Sequence, residues 1–289
     1  MGLHVKLGIS TWIWTSPFQT EEATALFEKI AALGYEIVEI AVEDPKLIDT
    51  QKISAELERN GLSAIVCGAF GSTRDLTSDD PELQRNSLEY IEECLNITKL
   101  LGAKFFAGPM YSAVGKARMV PDAQREIEWN RAVKNLKTVC EMASSKGLEI
   151  ALEPLNRFES DLVNNVDDVL RLIEQIDHPA AKICLDMFHM NIEEWDPALA
   201  IQKAGDKLLH LQVSENYRGI PGTGNASWDK YHQALASIDY KGAISIESFT
   251  PANKELAGAV CIWRKLAEDQ DTFAREGYSF LKNWKENNV

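Results

Sequence analysis

Ser144-Ser145-Lys146-Gly147-Leu148-Glu149-Ile150-Ala151-Leu152-Glu153-Pro154 holds a helix end, a strand and an acidic strand tip in one short stretch. Gly147 stands where a helix C-cap glycine belongs. Residues 148–152 are a short apolar run of strand length, and Glu153 closes it. Upstream, residues 123–146 repeat apolar side chains at three and four, the helical period. Outward from here the same punctuation recurs. Gly34, Gly61, Gly102 and Gly242 also sit just before strand-like runs. The strand candidates are 5–11, 36–41, 62–69, 103–107, 148–152, 181–186, 207–213 and 243–247. Helical periodicity fills segments such as 21–33 and 81–101. Strands alternating with helices imply a parallel sheet, and eight such units predict an α/β fold of the (β/α)8 TIM barrel type. An open doubly wound sheet is the competing reading, but its Gly-x-Gly-x-x-Gly fingerprint after the first strand is absent. No Pro/Gly/Ser linker or low-complexity tract divides the chain, so residues 1–289 are expected to form a single barrel domain.

Composition narrows the function. The 289 residues are 45% hydrophobic and 26% charged, within the range of soluble globular proteins. A formal net charge of -14 argues against nucleic acid, whose phosphates need a basic surface. No apolar run is long enough to cross a bilayer, and the N-terminus runs directly into a strand without a signal-peptide pattern. The five cysteines are scattered and form no Cys-x-x-Cys pair, which suits buried thiols in a reducing cytoplasm. Neither a Gly-x-Ser-x-Gly elbow, a His-Glu-x-x-His motif nor a P-loop is present.

In a barrel of this type the chemistry lies at the C-terminal ends of the strands. The fifth to eighth strands end in Glu153, Asp186, Gln212 and Glu247. Each alone reads equally as a solvated strand end or a helix cap. Together they place three carboxylates at one mouth, where they would repel unless a cation lay between them. The cluster therefore reads as a divalent-metal site with oxygen ligands, Gln212 included through its amide carbonyl. Asn156, Arg157 and Glu159 follow Glu153, His189 follows Asp186 by three, and Arg218 follows Gln212 by six. Beside a metal cluster His189 becomes a substrate ligand, while Glu159 and Arg218 either join it or pair with each other at the surface. Trp12, Trp14, Phe70 and Phe158 either stack on a sugar face or pack at the rim. The turn Pro221-Gly222-Thr223-Gly224 is either a flexible lid or only a turn.

At these residues the sequence resembles the ketose 3-epimerases, the D-tagatose/D-psicose/L-ribulose 3-epimerase group of the xylose-isomerase-like barrels. The resemblance runs through most of the chain. It is most specific in Leu152-Glu153-Pro154-Leu155-Asn156-Arg157-Phe158-Glu159 and in Cys184-Leu185-Asp186-Met187-Phe188-His189-Met190-Asn191-Ile192-Glu193-Glu194. The segments around Ser214–Gly222, Ile246–Phe249 and Val260–Arg264 look like the same group. The resemblance implies that Glu153, Asp186 and Glu247 hold the metal, and that Glu159, His189 and Arg218 hold the carbonyl end of a sugar. It also implies a homodimer or homotetramer. Two departures are visible. The family pattern at strand seven is His-x-His, whereas this chain has His210-Leu211-Gln212, which looks like the related hydroxypyruvate isomerases. The family Trp after strand four is missing from Pro109-Met110-Tyr111-Ser112-Ala113-Val114, which implies a wider or differently shaped pocket.

The expected chemistry is inversion at C3 of a free ketose, with Glu153 and Glu247 as base and acid on the two faces and an enediolate between them. Mn2+ is the expected ion, with Mg2+ or Co2+ able to serve, because the donors are hard oxygens. The alternatives are an aldose–ketose or hydroxypyruvate-type isomerase, which Gln212 favours, and a lyase acting on 3-keto-glycosides.

Overall fold

The structure, a computed structural model, describes residues 2–287. Eight strands, β1 (Lys6–Ser10), β2 (Ile37–Val42), β3 (Ser63–Gly68), β4 (Phe105–Gly108), β5 (Glu149–Leu152), β6 (Ala181–Asp186), β7 (Leu208–Val213) and β8 (Ala243–Ile246), close a barrel in chain order. All neighbours pair in parallel, and β8 closes on β1 with Lys6 opposite Ala243. Each expected strand is present, shifted at its ends by a residue or two. The principal helices between them are α1 (Ala23–Leu33), α2 (Thr50–Asn60), α3 (Pro81–Leu100), α4 (Asp122–Ser145) and α5 (Val166–Ile176). β6 is followed by two short helices, α6 (Met187–Glu193) and α7 (Pro197–Ala204). Then come α8 (Trp228–Ser237), α9 (Lys254–Ala259) and α10 (Gln270–Asn287). No helix among the described residues is long and apolar enough to cross a membrane.

Successive residues of a strand face opposite sides, and this period sorts the core into two shells. Val38, Ile40 and Val42 of β2 point outward and pack with the helices in the main core. Ile37, Ile65, Cys67, Ala107, Ala151, Cys184 and Ala243 form a separate small cluster inside the barrel. Alanines and cysteines there occupy little volume, which leaves room above them for polar side chains. That room is where β2 and β7 place Glu39, His210 and Gln212, all buried.

Gly34, Gly61, Gly102 and Gly147 follow their helices with positive φ, as their C-cap reading requires. Gly242 is different: α8 is followed by Asp239 in the left-handed region, and Gly242 has no positive φ. Its constraint is close approach, since a Cβ there would stand 2.4 Å from the Leu209 carbonyl oxygen. Of the five cysteines, Cys67, Cys94, Cys140 and Cys184 are buried, whereas Cys261 is exposed.

The long loop between β4 and α4 is tied down by ion pairs. Lys116 reaches Asp75 at 2.8 Å, Arg118 reaches Glu128 at 2.6 Å and Asp161 at 3.0 Å, and Arg125 reaches Asp161 at 2.7 Å. Burial works to raise the carboxyls of Glu128 and Asp161. Hydrogen bonds from Arg118 and Gln124 at Glu128, and from Arg125 and Arg118 at Asp161, outweigh it and hold both below their ordinary range. A lowered folded-state pKa stabilises above the unfolded value, about 4 for these groups, and that gain is lost as pH falls through the folded value. Arg118→Ala is therefore expected to cost about 1 kcal/mol at neutral pH, discounted because Arg118 is partly exposed. Thermal melts should show a deficit of about 2–4 °C that closes as both proteins are taken below about pH 3. A deficit independent of pH would remove the electrostatic account of this loop.

Candidate active site

Four strand ends deliver the core of the site. Glu153 follows β5 directly, with its backbone N–H donating to the Gly108 carbonyl, and Glu247 follows β8, donating to the Val213 carbonyl. Each thus extends a barrel strand by one residue, so backbone pairing as well as packing locates its carboxylate. Asp186 ends β6 and is the N-cap of α6: Oδ1 accepts the Phe188 N–H at 2.9 Å, leaving Oδ2 for the mouth. His189 stands on the first turn of α6, and its Nε2 lies 3.6 Å from both Glu153 Oε1 and Asp186 Oδ2.

Asn156, in the loop after β5, sets the His189 tautomer. Its backbone N–H donates to His189 Nδ1 at 3.1 Å, so the neutral ring carries its proton on Nε2, toward the two carboxylates. Burial lowers the His189 pKa and outweighs the raising influence of Asp186, which keeps the ring neutral. The Asn156 side chain also donates to Glu159 Oε1 at 2.8 Å. Glu159 is thereby linked to His189 through one amide.

Arg218 is not at the surface. It is 5% exposed, its Nη1 donates to Asp186 Oδ2 at 2.5 Å and to Glu247 Oε2 at 3.0 Å, and Glu159 is not among its partners. The guanidinium lies 4.3 Å from the Phe188 ring centre and 5.1 Å from that of Phe249. Its backbone has φ +64, a left-handed conformation that costs a non-glycine residue about 1–2 kcal/mol. The surrounding loop supports it: Ser248 Oγ donates to the Arg218 carbonyl at 2.7 Å, and Arg218 N–H donates to the Glu215 carbonyl. Buried Glu215 also receives the N–H groups of Gly222, Ala226 and the Trp228 indole. The glycine-rich turn is thus a pinned loop that presents Arg218.

Gln212 lies between carboxylates. Its Nε2 donates to Glu247 Oε1 at 2.8 Å and Glu39 Oε1 at 3.0 Å, while its Oε1 accepts from Cys184 Sγ at 3.4 Å. In this orientation the carbonyl oxygen is turned from the acidic cluster. Reversing the amide would set that oxygen against two carboxylates.

Glu39 carried no role in the sequence reading. It is a lone acid in the otherwise apolar β2 run Ile37-Val38-Glu39-Ile40-Ala41-Val42, at the inward-facing parity, fully buried. That parity together with the isolated charge was the available signal. The four aromatics separate. Trp12 packs on Phe249 with ring centres 5.4 Å apart. Phe70 is buried against Tyr90 and Phe106. Trp14 bonds Asp271, and Phe158 is exposed. In the loop after β4, Tyr111 is fully buried with its hydroxyl donating to the Val163 carbonyl at 3.0 Å.

The site's electrostatics favour a cation. Burial pushes the carboxyls of both Glu153 and Glu247 upward. The neighbouring Asp186 charge adds to this at Glu153, whereas Arg218 opposes it at Glu247. Glu153, Asp186 and His189 each offer one ligand atom, all within 4.8 Å of one another. Arg218 places its positive charge against two of the carboxylates, Asp186 and Glu247. A divalent ion bound by carboxylate oxygens with an imidazole at hand fits these residues.

Comparisons with known proteins identify the relatives of this chain. A family described as "Xylose isomerase-like TIM barrel" matches residues 27–283. The chain is 31% identical over 284 residues, 98% of each sequence, to a protein of Synechocystis sp. named probable ketose 3-epimerase. It is 32% identical over 281 residues, 96% of this chain and 97% of the relative, to the L-ribulose 3-epimerase of a Methylomonas species. Among solved structures, D-allulose 3-epimerase from Methylomonas sp. in complex with D-allulose superposes with a TM-score of 0.91 at 29% identity, covering 98% of this chain and 99% of that one.

Proposed function

Because the chain belongs to the xylose isomerase-like TIM barrel family, we propose that it is a metal-dependent ketose 3-epimerase acting on free ketoses. One observation carries the reading. Two buried carboxylates stand at the mouth, Glu153 after β5 beside His189 and Glu247 after β8 beside Arg218, and both of those partners also reach Asp186. An epimerase needs an acid and a base on the two faces of one carbon, and two such carboxylates, linked through partners that meet at Asp186, supply them.

Glu153, Asp186 and Glu247 are the proposed ligands, and Gln212 lies against Glu247 at the fourth strand tip. When bound, the ion acts as a Lewis acid that lowers the cost of charge developing beside the ketose carbonyl. Glu153 removes the C3 proton on one face and Glu247 delivers a proton on the other, with the roles exchanged in reverse. His189 donates from Nε2 to a sugar oxygen, Glu159 steadies it through Asn156, and Arg218 grips the carbonyl end. The barrel works as one domain spanning residues 1–289. We place the protein in the cytoplasm, as a homodimer or homotetramer in which a second copy covers exposed apolar groups such as Trp195 and Trp263.

A panel of ketoses incubated with the protein in D2O tests the assignment. Deuterium at C3 of both epimers is the expected result. Gln212, in place of the family histidine, favours a second reading, proton transfer between C1 and C2. Deuterium at C1 or C2 alone would establish that isomerase and overturn the epimerase. Arg218→Ala is expected to raise KM for the turned-over ketose at least about tenfold, the worth of one charged hydrogen bond. It should also destabilise the metal-free protein, because Asp186 and Glu247 lose their buried counter-charge. Steady-state kinetics and thermal melts read these separately, and an unchanged KM would return Arg218 to a structural role.

A further inference from the structure

Two hydrogen bonds lead from Glu247 into the barrel interior. Gln212 Nε2 donates to Glu247 Oε1 at 2.8 Å and to Glu39 Oε1 at 3.0 Å. The other oxygen of Glu39, Oε2, lies 2.5 Å from His210 Nε2, so a short hydrogen bond joins those two groups. Glu39 and His210 are fully buried, Gln212 is 1% exposed and Glu247 4%. No water competes for these groups at such burial, and the partners of each are fixed by geometry. A primary amide has two N–H bonds. One is committed to Glu39 and the second is aimed at Glu247.

On this basis we propose that Glu39 is a positioning residue for the epimerase reaction, acting through Gln212. It holds the Gln212 amide with its NH2 toward Glu247, and so fixes the carboxylate that exchanges the C3 proton on one face. Gln212 then serves the site as a hydrogen-bond donor to Glu247, with its carbonyl oxygen directed at the Cys184 thiol. The inference rests on the function proposed above, and in particular on Glu247 as one of two bases.

Three features support it. Turning the amide over would put a carbonyl oxygen 2.8–3.0 Å from two carboxylate oxygens, with no proton to share. The Cys184 thiol lies 3.4 Å from the Gln212 oxygen and donates to it, so that oxygen has its own partner on the side away from the carboxylates. Glu153, by contrast, has no side-chain hydrogen bond among the described residues, and its ion-pair neighbour is His189 Nε2 at 3.6 Å. The two acid–base groups are thus held unequally. Glu247 has Gln212 on one oxygen and Arg218 on the other. Misplacing it through Glu39 should therefore disturb one proton transfer and spare the other.

This asymmetry gives a signature that general loss of structure does not. The test uses the metal-loaded protein, a ketose pair it interconverts (L-ribulose with L-xylulose, or D-psicose with D-fructose), and both members deuterated at C3. Glu39→Gln and the near-isosteric Gln212→Met are compared with wild type. Each variant is expected to lose about tenfold or more in kcat, as loss of a partner supporting a ligand does. With the Glu247 transfer slowed, the isotope effect on kcat/KM should rise for the epimer whose C3 proton Glu247 removes. It should fall toward unity for the other epimer, whose proton goes to Glu153. Both variants should change the same epimer in the same sense. Mn2+ affinity, measured by calorimetric titration of the stripped proteins, should fall no further in Gln212→Met than in Glu39→Gln, since both only loosen the ligand Glu247. Parallel, unchanged isotope effects in two folded variants would overturn the proposal. So would a loss of Mn2+ affinity far larger in Gln212→Met than in Glu39→Gln, which would make the amide oxygen a ligand. Absence of C3 exchange in wild type is a different failure, since it removes the epimerase reading itself.

Discussion

Glu153→Gln and Glu247→Gln are each expected to fold as the wild type does and to lose at least about a thousandfold in kcat, the upper range of general acid–base catalysis. The two substitutions keep shape and volume but remove the group that accepts or returns a proton. In the metal-free protein Glu153→Gln also relieves repulsion among buried carboxylates, so its melting temperature should hold or rise, whereas Glu247→Gln offsets that relief by giving up the charge that Arg218 pairs with. Inversion at one carbon has no route around a missing partner on either face, so the two losses should be of similar size and should not add in the double variant. Kinetics on the ketose found in the D2O panel, together with circular dichroism, check this. Turnover within about tenfold of wild type in either variant, only ~1.4 kcal/mol of barrier, would remove that residue from the chemistry.

Stripping the protein of divalent ions is expected to abolish turnover, and Mn2+ should restore it better than Zn2+. The ligands proposed are carboxylate oxygens, which suit Mn2+, Mg2+ or Co2+ better than an ion that favours thiolate and several imidazoles. The same titration should raise thermal stability. An ion at one hundred times its Kd stabilises the folded state by about 2.7 kcal/mol, and relief of the repulsion at Glu153, Asp186 and Glu247 is the physical source. Asp186→Asn should lose most of both effects, because Oδ2 faces the cluster while Oδ1 is spent on the α6 N-terminus. Full activity in the presence of excess EDTA, with no metal in the purified protein, would defeat the metal reading.

The barrel was legible because its cues are local. Glycine at helix ends, apolar runs of strand length and helical periodicity between them are each written within a few residues. Eight repeats of that rhythm leave few topologies. The closed order of β1 to β8 follows. The polar strand tips were legible for a related reason: the C-terminal end of a parallel strand can be counted along the chain, so Glu153, Asp186, Gln212 and Glu247 could be named together. What each tip touches could not be counted in that way. Arg218 reads in the sequence either as a substrate-holding group or as a surface partner of Glu159, and the pinned turn around Glu215 folds it inward onto Asp186 and Glu247. Gln212 reads as a metal ligand through oxygen. Its amide nitrogen donates to Glu39, 173 positions away in sequence, a contact no local pattern announces. Glu39 itself, one acid in an apolar strand, gains meaning only when β2 and β7 face each other across the barrel. Periodicity and caps depend on neighbours in the chain, so the sequence alone determined the fold and the ring of tips. Hydrogen-bond partners across the barrel depend on closure of the sheet, so only the tertiary structure decided which carboxylate is held, by which donor and in which orientation.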